Sequence, residues 1–153
     1  MRSAPFLLFL STLLLATSAG CGGEGGPAGL LPGGRLAGEP SGNPADWAFA
    51  GDAGTMQLET NPAEPYSVNL AYTVFAGRFY VNAGGTETRW AAQIAADPRV
   101  RLRLDERLYD LRARRVTDAA EIDAFAEAWT SQSFFRRDPR GYDEVWLFEL
   151  LPR

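Results

Sequence analysis

The stretch from Tyr66 to Asn82 alternates apolar and polar side chains on both sides of Ala76-Gly77, and this alternation most constrains what the chain can fold into. The apolar members of the two runs are Val68, Leu70, Tyr72, Val74, Phe79 and Val81. Successive side chains of a strand point to opposite faces, so a period of two indicates strands with one buried face. A short glycine-containing connection between two such runs is typical of an antiparallel β-hairpin, which the sequence therefore predicts here.

A second hairpin is predicted around Asp105-Glu106, between the alternating run Arg99 to Leu104 and the return through Arg107 to Val116. A register that pairs Leu104 with Arg107 brings apolar residues together across the two strands. The other facing pairs are then Leu102 with Tyr109, Val100 with Leu111, Arg101 with Asp110 and Arg99 with Arg112. The last pair sets like charges against each other, which a bulge or a bound anion would relieve.

The remaining strands and helices are predicted from turn and capping signals. Short strands are expected at 46–51, 55–60 and 145–150, with a proline-containing loop at 61–65. One helix is expected from Thr86, as its N-cap, to Ala96, and a second after the Asp118 capping signal. Strands that return on one another, with few short helices, favour an α+β, mainly antiparallel fold of six to seven strands in a small closed or half-closed β-barrel.

The first 20 residues have the pattern of an export signal: Arg2, then an apolar run that is broken by polar residues before it could span a bilayer, then small residues. The stretch Ser18-Ala19-Gly20-Cys21 resembles a bacterial lipobox, in which the cysteine is acylated. Cleavage after Ala19 without lipidation is the alternative. The only cysteine of the chain lies at this point, which favours lipid on Cys21. We therefore expect an exported protein held at a membrane of the cell envelope, with a secreted or periplasmic protein as the alternative.

Three segments are expected along the chain. Residues 1–20 form the signal peptide, and 21–44 form the lipidated cysteine and a tether rich in glycine and proline. The tether has few apolar side chains with which to offset its ordering entropy, so it is predicted to be flexible. Residues 45–153 form one domain, because about 110 residues suffice for a single core.

Missing residue types exclude several kinds of chemistry. The chain has no histidine, and all 15 of its basic residues are arginine. It can therefore build no Ser-His-Asp relay, no imidazole metal site and no lysine Schiff base. The formal net charge is −4, and it becomes −5 when Arg2 is removed with the signal peptide, so nucleic acid is not an expected partner.

The hairpin from Tyr66, the Trp90 helix before "DPRVRLRL", and the strand ending in "RRVTDAAE" resemble the deazaflavin-dependent nitroreductase family. That family belongs to the split β-barrel group of pyridoxamine-phosphate-oxidase-like flavoproteins. The resemblance implies a split β-barrel that binds flavin mononucleotide or a deazaflavin, and it implies that two copies can pair as a homodimer. By position, the cofactor-binding residues that it implies are Asn82, Gly84, Gly85, Thr86, Arg89 and Trp90. Trp90 is also spaced from Ile94 as a core residue would be, and the core role is favoured.

The loop at 61–65 departs from the family. Where the family carries a basic, glycine-containing loop that grips the cofactor phosphate, this chain has Asn-Pro-Ala-Glu-Pro, whose only charge is negative. The leading hypothesis is therefore a non-catalytic or ligand-binding envelope lipoprotein on a split-barrel scaffold. The alternatives are a flavin- or deazaflavin-dependent oxidoreductase and a small-ligand carrier whose pocket is the barrel interior. The identity of the cofactor stays open.

The segment Phe134-Phe135-Arg136-Arg137 admits two interpretations. It could touch lipid headgroups or a partner, or it could be a loop that packs its two aromatic side chains onto the barrel. The second interpretation is the one that the sequence favours, because large aromatic side chains are usually buried.

Overall fold

A computed structural model describes residues 25–84 and 88–153 of the chain. The strands are β1 Glu39–Pro40, β2 Ala53–Thr60, β3 Tyr66–Phe75, β4 Arg78–Asn82, β5 Arg99–Leu104, β6 Arg107–Arg115 and β7 Leu147–Pro152. The helices are α1 Arg89–Ala96 and α2 Ala119–Ser131. The predicted signal peptide, Cys21, Gly85 and Thr86 lie outside the described residues.

Six strands close into one antiparallel barrel in the order β2-β3-β4-β7-β6-β5, with β5 paired back onto β2. The two-residue strand β1 adds to the N-terminal part of β6 in parallel. In this ring β3 and β6 lie opposite each other. The fold is the mainly antiparallel split β-barrel with two short helices that the sequence predicts.

Both predicted hairpins form. The β3–β4 hairpin turns at Ala76 and Gly77, whose φ angles are 50° and 72°. The β5–β6 hairpin has the predicted register at each pair from Arg99↔Arg112 to Leu104↔Arg107. Arg99 and Arg112 face each other in a register without a bulge, and the Asp97 carboxylate, 2.5 Å from the Arg99 guanidinium, neutralises one of the two charges.

Apolar side chains fill the barrel. Leu58, Phe79 and Leu102 are fully buried at its centre, and Trp90 and Ile94 of α1 join the same core. A small barrel filled by its own side chains has no room for a ligand. The prediction of a carrier whose pocket is the barrel interior is therefore wrong.

The segment 46–51, predicted as a strand, is instead a turn with a short 3-10 helix at Ala48–Ala50. The Asp46 carboxylate accepts the Ala48 N–H at 2.6 Å, which starts the turn. Trp47 is buried with its ring centroid 4.9 Å from Phe79 and 5.1 Å from Tyr109. The indole thus contributes to the barrel core from outside the strands.

Helix α2 covers the outer face of the barrel over the C-terminal part of β3 and over β4 and β7. Phe125 packs there in a second apolar cluster with Tyr80, Val116 and Leu147. The predicted cap is present, since Asp118 accepts the Glu121 N–H at 2.9 Å. Within the described residues, no helix is long and apolar enough to cross a membrane.

The N-terminal segment from residue 25 to residue 41, which we call the strap, lies across the outside of the barrel. Its backbone pairs with Ser67 of β3 through Gly33, and Leu36 is buried with its N–H donated to the Glu59 carboxylate at 2.6 Å. Farther along, Ser41 donates its N–H to the Leu108 carbonyl of β6. The structure therefore differs from the predicted flexible tether over this part of 21–44.

Close backbone packing explains the difference. A Cβ added to Gly33 would lie 2.4 Å from the Gly26 carbonyl carbon and 2.5 Å from the Gly25 carbonyl oxygen, so only glycine fits. The two ends of the loop between Gly25 and Gly34 are also joined by a hydrogen bond, in which the Gly34 N–H is donated to the Gly25 carbonyl. We call this closure the neck of the loop. The glycines that suggested flexibility here allow two chain segments to touch.

Candidate functional site

The turn that leads from β4 toward α1 is built around Asn82 and Gly84. The Asn82 Oδ1 accepts the Gly84 N–H at 2.8 Å, and Gly84 has a φ of 72°, a conformation that favours glycine. The Gly84 carbonyl accepts the Trp146 N–H at 3.0 Å, and the Ala83 N–H is donated to the Trp146 carbonyl. The turn is thus fixed to the segment that enters β7.

Helix α1 begins later than predicted. Its N-cap is Thr88, which has extended backbone angles and whose hydroxyl accepts the Ala91 N–H at 3.4 Å. The prediction of Thr86 as the N-cap is wrong because a second threonine, two residues on, starts the helix. Arg89 is consequently the first helical residue, where the positive end of the helix dipole lies.

Arg89 and Trp90 point to different surroundings. The Arg89 guanidinium lies 4.3 Å from the centre of the Tyr66 ring, a cation–π contact across the start of β3. Trp90 is buried in the barrel core with its ring 5.8 Å from Phe148. Of the six residues predicted as a site, Asn82 and Gly84 share one turn, Arg89 flanks it, and Trp90 faces the core. Gly85 and Thr86 are outside the described residues.

Two tyrosines near this site were not predicted. Tyr66 supports Arg89, and a Cβ on Gly84 would lie 3.6 Å from the Tyr142 ring, so that ring covers the turn. Tyr66 stands at the start of a strong strand pattern, where its position next to α1 has no sequence signal. Tyr142 follows a short 3-10 helix at Pro139–Gly141 and is distant in sequence from the turn that it covers.

A second polar cluster lies under α2 and is balanced in charge. Arg78 and Arg114 both bind the Glu149 carboxylate of β7, and both reach Glu121 of α2 at 2.7 Å. The Tyr80 hydroxyl donates to Glu121 at 2.9 Å, and burial together with that bond raises the pKa of Tyr80. Burial alone would raise the pKa of Glu149, but hydrogen bonds from the two arginines outweigh it and lower that pKa. Two cations facing two anions tie the helix to the barrel and balance the charge of the cluster.

Most arginines of the outer sheet face are paired in the same way. The partners are Asp97 for Arg99, Glu59 and Asp110 for Arg101, and Glu106 for Arg103. Among the residues that the structure describes, no three histidine, cysteine, aspartate or glutamate side chains are grouped to hold a metal ion. Arg89, with the start of α1, is the cationic feature that directly follows the β4–α1 turn in the chain.

Comparisons with known proteins agree with the architecture. A putative pyridoxamine 5'-phosphate oxidase from Listeria innocua superposes with a TM-score of 0.51 at 13% identity, over 65% of this chain and 83% of that one. A NimC/NimA family protein from Clostridium acetobutylicum gives 0.52 at 15% identity, over 69% and 78%. An FAD-binding protein from Mesorhizobium loti gives 0.47 at 17% identity, over 65% and 80%. No family model and no curated protein sequence matches the chain.

These likenesses define the class of the fold. The closed six-strand barrel with two helices has the split β-barrel fold of the putative pyridoxamine 5'-phosphate oxidase and of the NimC/NimA family protein. At these identities the likeness concerns the fold alone, and one fold supports many functions.

Proposed function

We propose that this protein is a lipoprotein of the cell envelope, anchored by lipid on Cys21, whose split barrel binds a small anionic ligand without catalysing a reaction. The observation that carries the proposal is the sparse charge of the β4–α1 site. Arg89 and the start of α1 offer one cationic centre, which is enough for a single anionic group.

A flavin fits this site only in part. Arg89 and the first amides of α1 would hold the phosphate of flavin mononucleotide, but the Tyr142 ring over Gly84 limits how closely a ligand can approach the turn. When bound, a flavin supplies hydride-transfer chemistry. Glu64, the only charged residue of the loop before β3, would repel a polyanionic deazaflavin tail, and Trp90 is turned into the core and offers no stacking surface. These features support weak anion binding rather than tight cofactor binding.

The alternative proposal is a flavin-dependent oxidoreductase at the membrane surface. The split-barrel fold and the placement of Arg89 at a helix start favour it, because that combination can hold a phosphate. Both proposals place the ligand at the same turn, so one titration separates them.

We expect the purified mature chain to be colourless, and to bind flavin mononucleotide only weakly when titrated by fluorescence quenching. Arg89→Gln should weaken that binding roughly tenfold or more, because one charge-assisted hydrogen bond is lost. The matched control is Arg112→Gln, since Arg112 is an exposed arginine on β6. A yellow protein with stoichiometric flavin that a nicotinamide reductant bleaches would establish the oxidoreductase instead.

Replacing Cys21 by serine should move most of the protein from the membrane fraction to the soluble fraction. A diacylglyceryl-cysteine carries two acyl chains, and two chains suffice for stable attachment to a bilayer, whereas one chain gives only reversible binding. The measurement is fractionation of cells that express each form, together with the intact mass of the processed N-terminus. A mature protein that begins at Gly20 and carries no lipid would contradict the anchor.

A further inference from the structure

Four large apolar side chains stand in solvent on two loops. Leu30 and Leu31, at the tip of the strap's N-terminal loop, are 104% and 70% exposed, and Phe134 and Phe135, after α2, are 83% and 94% exposed. The prediction that the two phenylalanines pack onto the barrel is therefore wrong. Exposed apolar groups that occur together mark an interaction surface, whereas single ones need no explanation.

In the loop that carries the two phenylalanines, the charged side chains are packed against the protein and the apolar ones are exposed, which is the reverse of the usual arrangement. The Arg136 guanidinium lies 4.0 Å from the centre of the Trp129 ring and donates to Thr73 and Gln132, and the Arg137 guanidinium lies 4.8 Å from the Tyr142 ring. Burial lowers the pKa of Arg136. The charged residues of the segment are thus held against the protein, while its most apolar residues face outward.

Both loops lie on the outer face of β3. The Asn69 side chain donates to the Gly29 carbonyl at 2.8 Å, and the Thr73 hydroxyl donates to Gln132 at 3.0 Å. Ala71, between those two positions on the same face, is exposed. Four residues of strand separate the two attachments by about 14 Å. We call the surface formed by Leu30, Leu31, Ala71, Phe134 and Phe135 the β3 apolar face.

The proposed lipid attachment lies close to this face. The neck of the leucine-tipped loop closes where Gly34 donates its N–H to the Gly25 carbonyl, and Cys21 precedes Gly25 by four residues. Four residues of chain span at most about 14 Å even when fully extended. A barrel anchored through Cys21 is therefore held within reach of the bilayer on the side from which this loop projects.

We propose that the β3 apolar face rests on the lipid bilayer, with the two leucines and the two phenylalanines inserted at the interface beside the anchor. The proposal rests on the lipid at Cys21 that is part of the proposed function. It orients the barrel, because β6 lies opposite β3 and then faces away from the membrane. Contacts between these apolar side chains and the acyl chains of the bilayer add to the binding free energy of the lipid anchor, and a second binding element of this kind makes membrane attachment more stable.

The test separates the contact from the anchor. The mature chain carries Cys21→Ser and an N-terminal hexahistidine, which tethers it to phosphatidylcholine vesicles through a nickel-chelating lipid. The chain has no other cysteine and no histidine, so the environment-sensitive dye NBD can be attached at Leu31→Cys or Phe135→Cys alone. We expect vesicles to shift the NBD emission to the blue and lipids with a spin label in the acyl chain to quench it.

The matched control carries NBD at Arg112→Cys on the outer face of β6, where vesicles should change nothing. Without the tether, changing Leu31 and Phe135 to asparagine should lower partition into vesicles by about 100-fold, roughly tenfold for each side chain. No blue shift at positions 31 and 135 on tethered protein would overturn the proposal. A shift that needs no vesicles and grows with protein concentration would also overturn it, by showing that a second copy covers the face. Absence of lipid on Cys21 in cells would leave this result unchanged, because the nickel tether replaces the lipid.

Discussion

Replacing Glu149 by glutamine should lower the free energy of unfolding by about 2–3 kcal/mol and the melting temperature by about 10 °C. Glu149 is only 4% exposed and accepts hydrogen bonds from both Arg78 and Arg114. Glutamine has nearly the same shape, but it lacks the charge and presents an NH₂ group to two guanidinium donors. The two arginine side chains are 41% and 38% exposed, so water offsets part of the loss, and the estimate lies below that for a fully buried pair.

A matched substitution isolates the effect of burial. Asp110→Asn removes a carboxylate that lies 3.6 Å from Arg101 but is 61% exposed, and it should cost less than about 0.5 kcal/mol. Both variants are measured by urea denaturation followed by tryptophan fluorescence. Equal losses at the two positions would show that burial of the Glu149 carboxylate does not increase its contribution to stability.

The same carboxylate predicts a dependence of stability on pH. The pKa of Glu149 is lowered from 4.5 in the folded protein, so its contribution to stability is complete above that unfolded value. The contribution is lost as the pH falls through the folded-state pKa, when the carboxyl group binds a proton. The Glu149→Gln variant should therefore lose less stability than the native protein when both are moved from neutral pH to acid.

The sequence predicts the barrel well where physical signals are local and repeated. The register of β5 and β6 follows from apolar alternation together with the Arg101–Asp110 pair. The cap at Asp118 follows from a short pattern whose hydrogen bond the structure contains. In each case the residues that decide the structure are near one another in the chain, or are aligned by a single turn.

Contacts between distant segments were not predictable in the same way. Trp47 belongs to the barrel core through Phe79 and Tyr109, yet the sequence predicts a strand for its segment. Leu36 lies among glycines and prolines, and no neighbouring residue in the sequence indicates that its N–H is donated to the Glu59 carboxylate. The composition of a segment indicates how much apolar surface it can bury. The strap has little such surface, yet one buried leucine and several close backbone contacts suffice to hold it against the barrel.

The sequence predicts the backbone of the β4–α1 turn better than the directions of its side chains. The β4–α1 turn does combine a left-handed glycine with a helix start, as the family resemblance implies. The N-cap is displaced by two residues and Trp90 faces inward, because α1 must also close the barrel core with Ile94. The demand for a filled core thus decides which side chains remain available for a ligand.

Replacing Leu36 by alanine should detach the strap while leaving the barrel folded. Leu36 is buried on the outside of the sheet, and truncating a buried leucine costs about 2–5 kcal/mol. The strap is otherwise held by backbone hydrogen bonds at Gly33, Glu39 and Ser41. Amide hydrogen exchange should therefore accelerate roughly 100-fold at Glu39 and Ser41, with protection in β2 to β7 nearly unchanged.

Leu30→Ala serves as the control, because Leu30 is fully exposed and its removal should alter neither set of amides. If Leu36→Ala accelerated exchange equally in the strap and in the barrel, the two would form one cooperative unit and the strap could not be released alone. A detached strap would also lengthen the free chain between Cys21 and the barrel. Some 20 residues of free chain span about 25 Å on average. The four residues that are free when the strap is docked span at most about 14 Å. Docking of one leucine would then set how closely the proposed lipid anchor on Cys21 holds the barrel to the membrane.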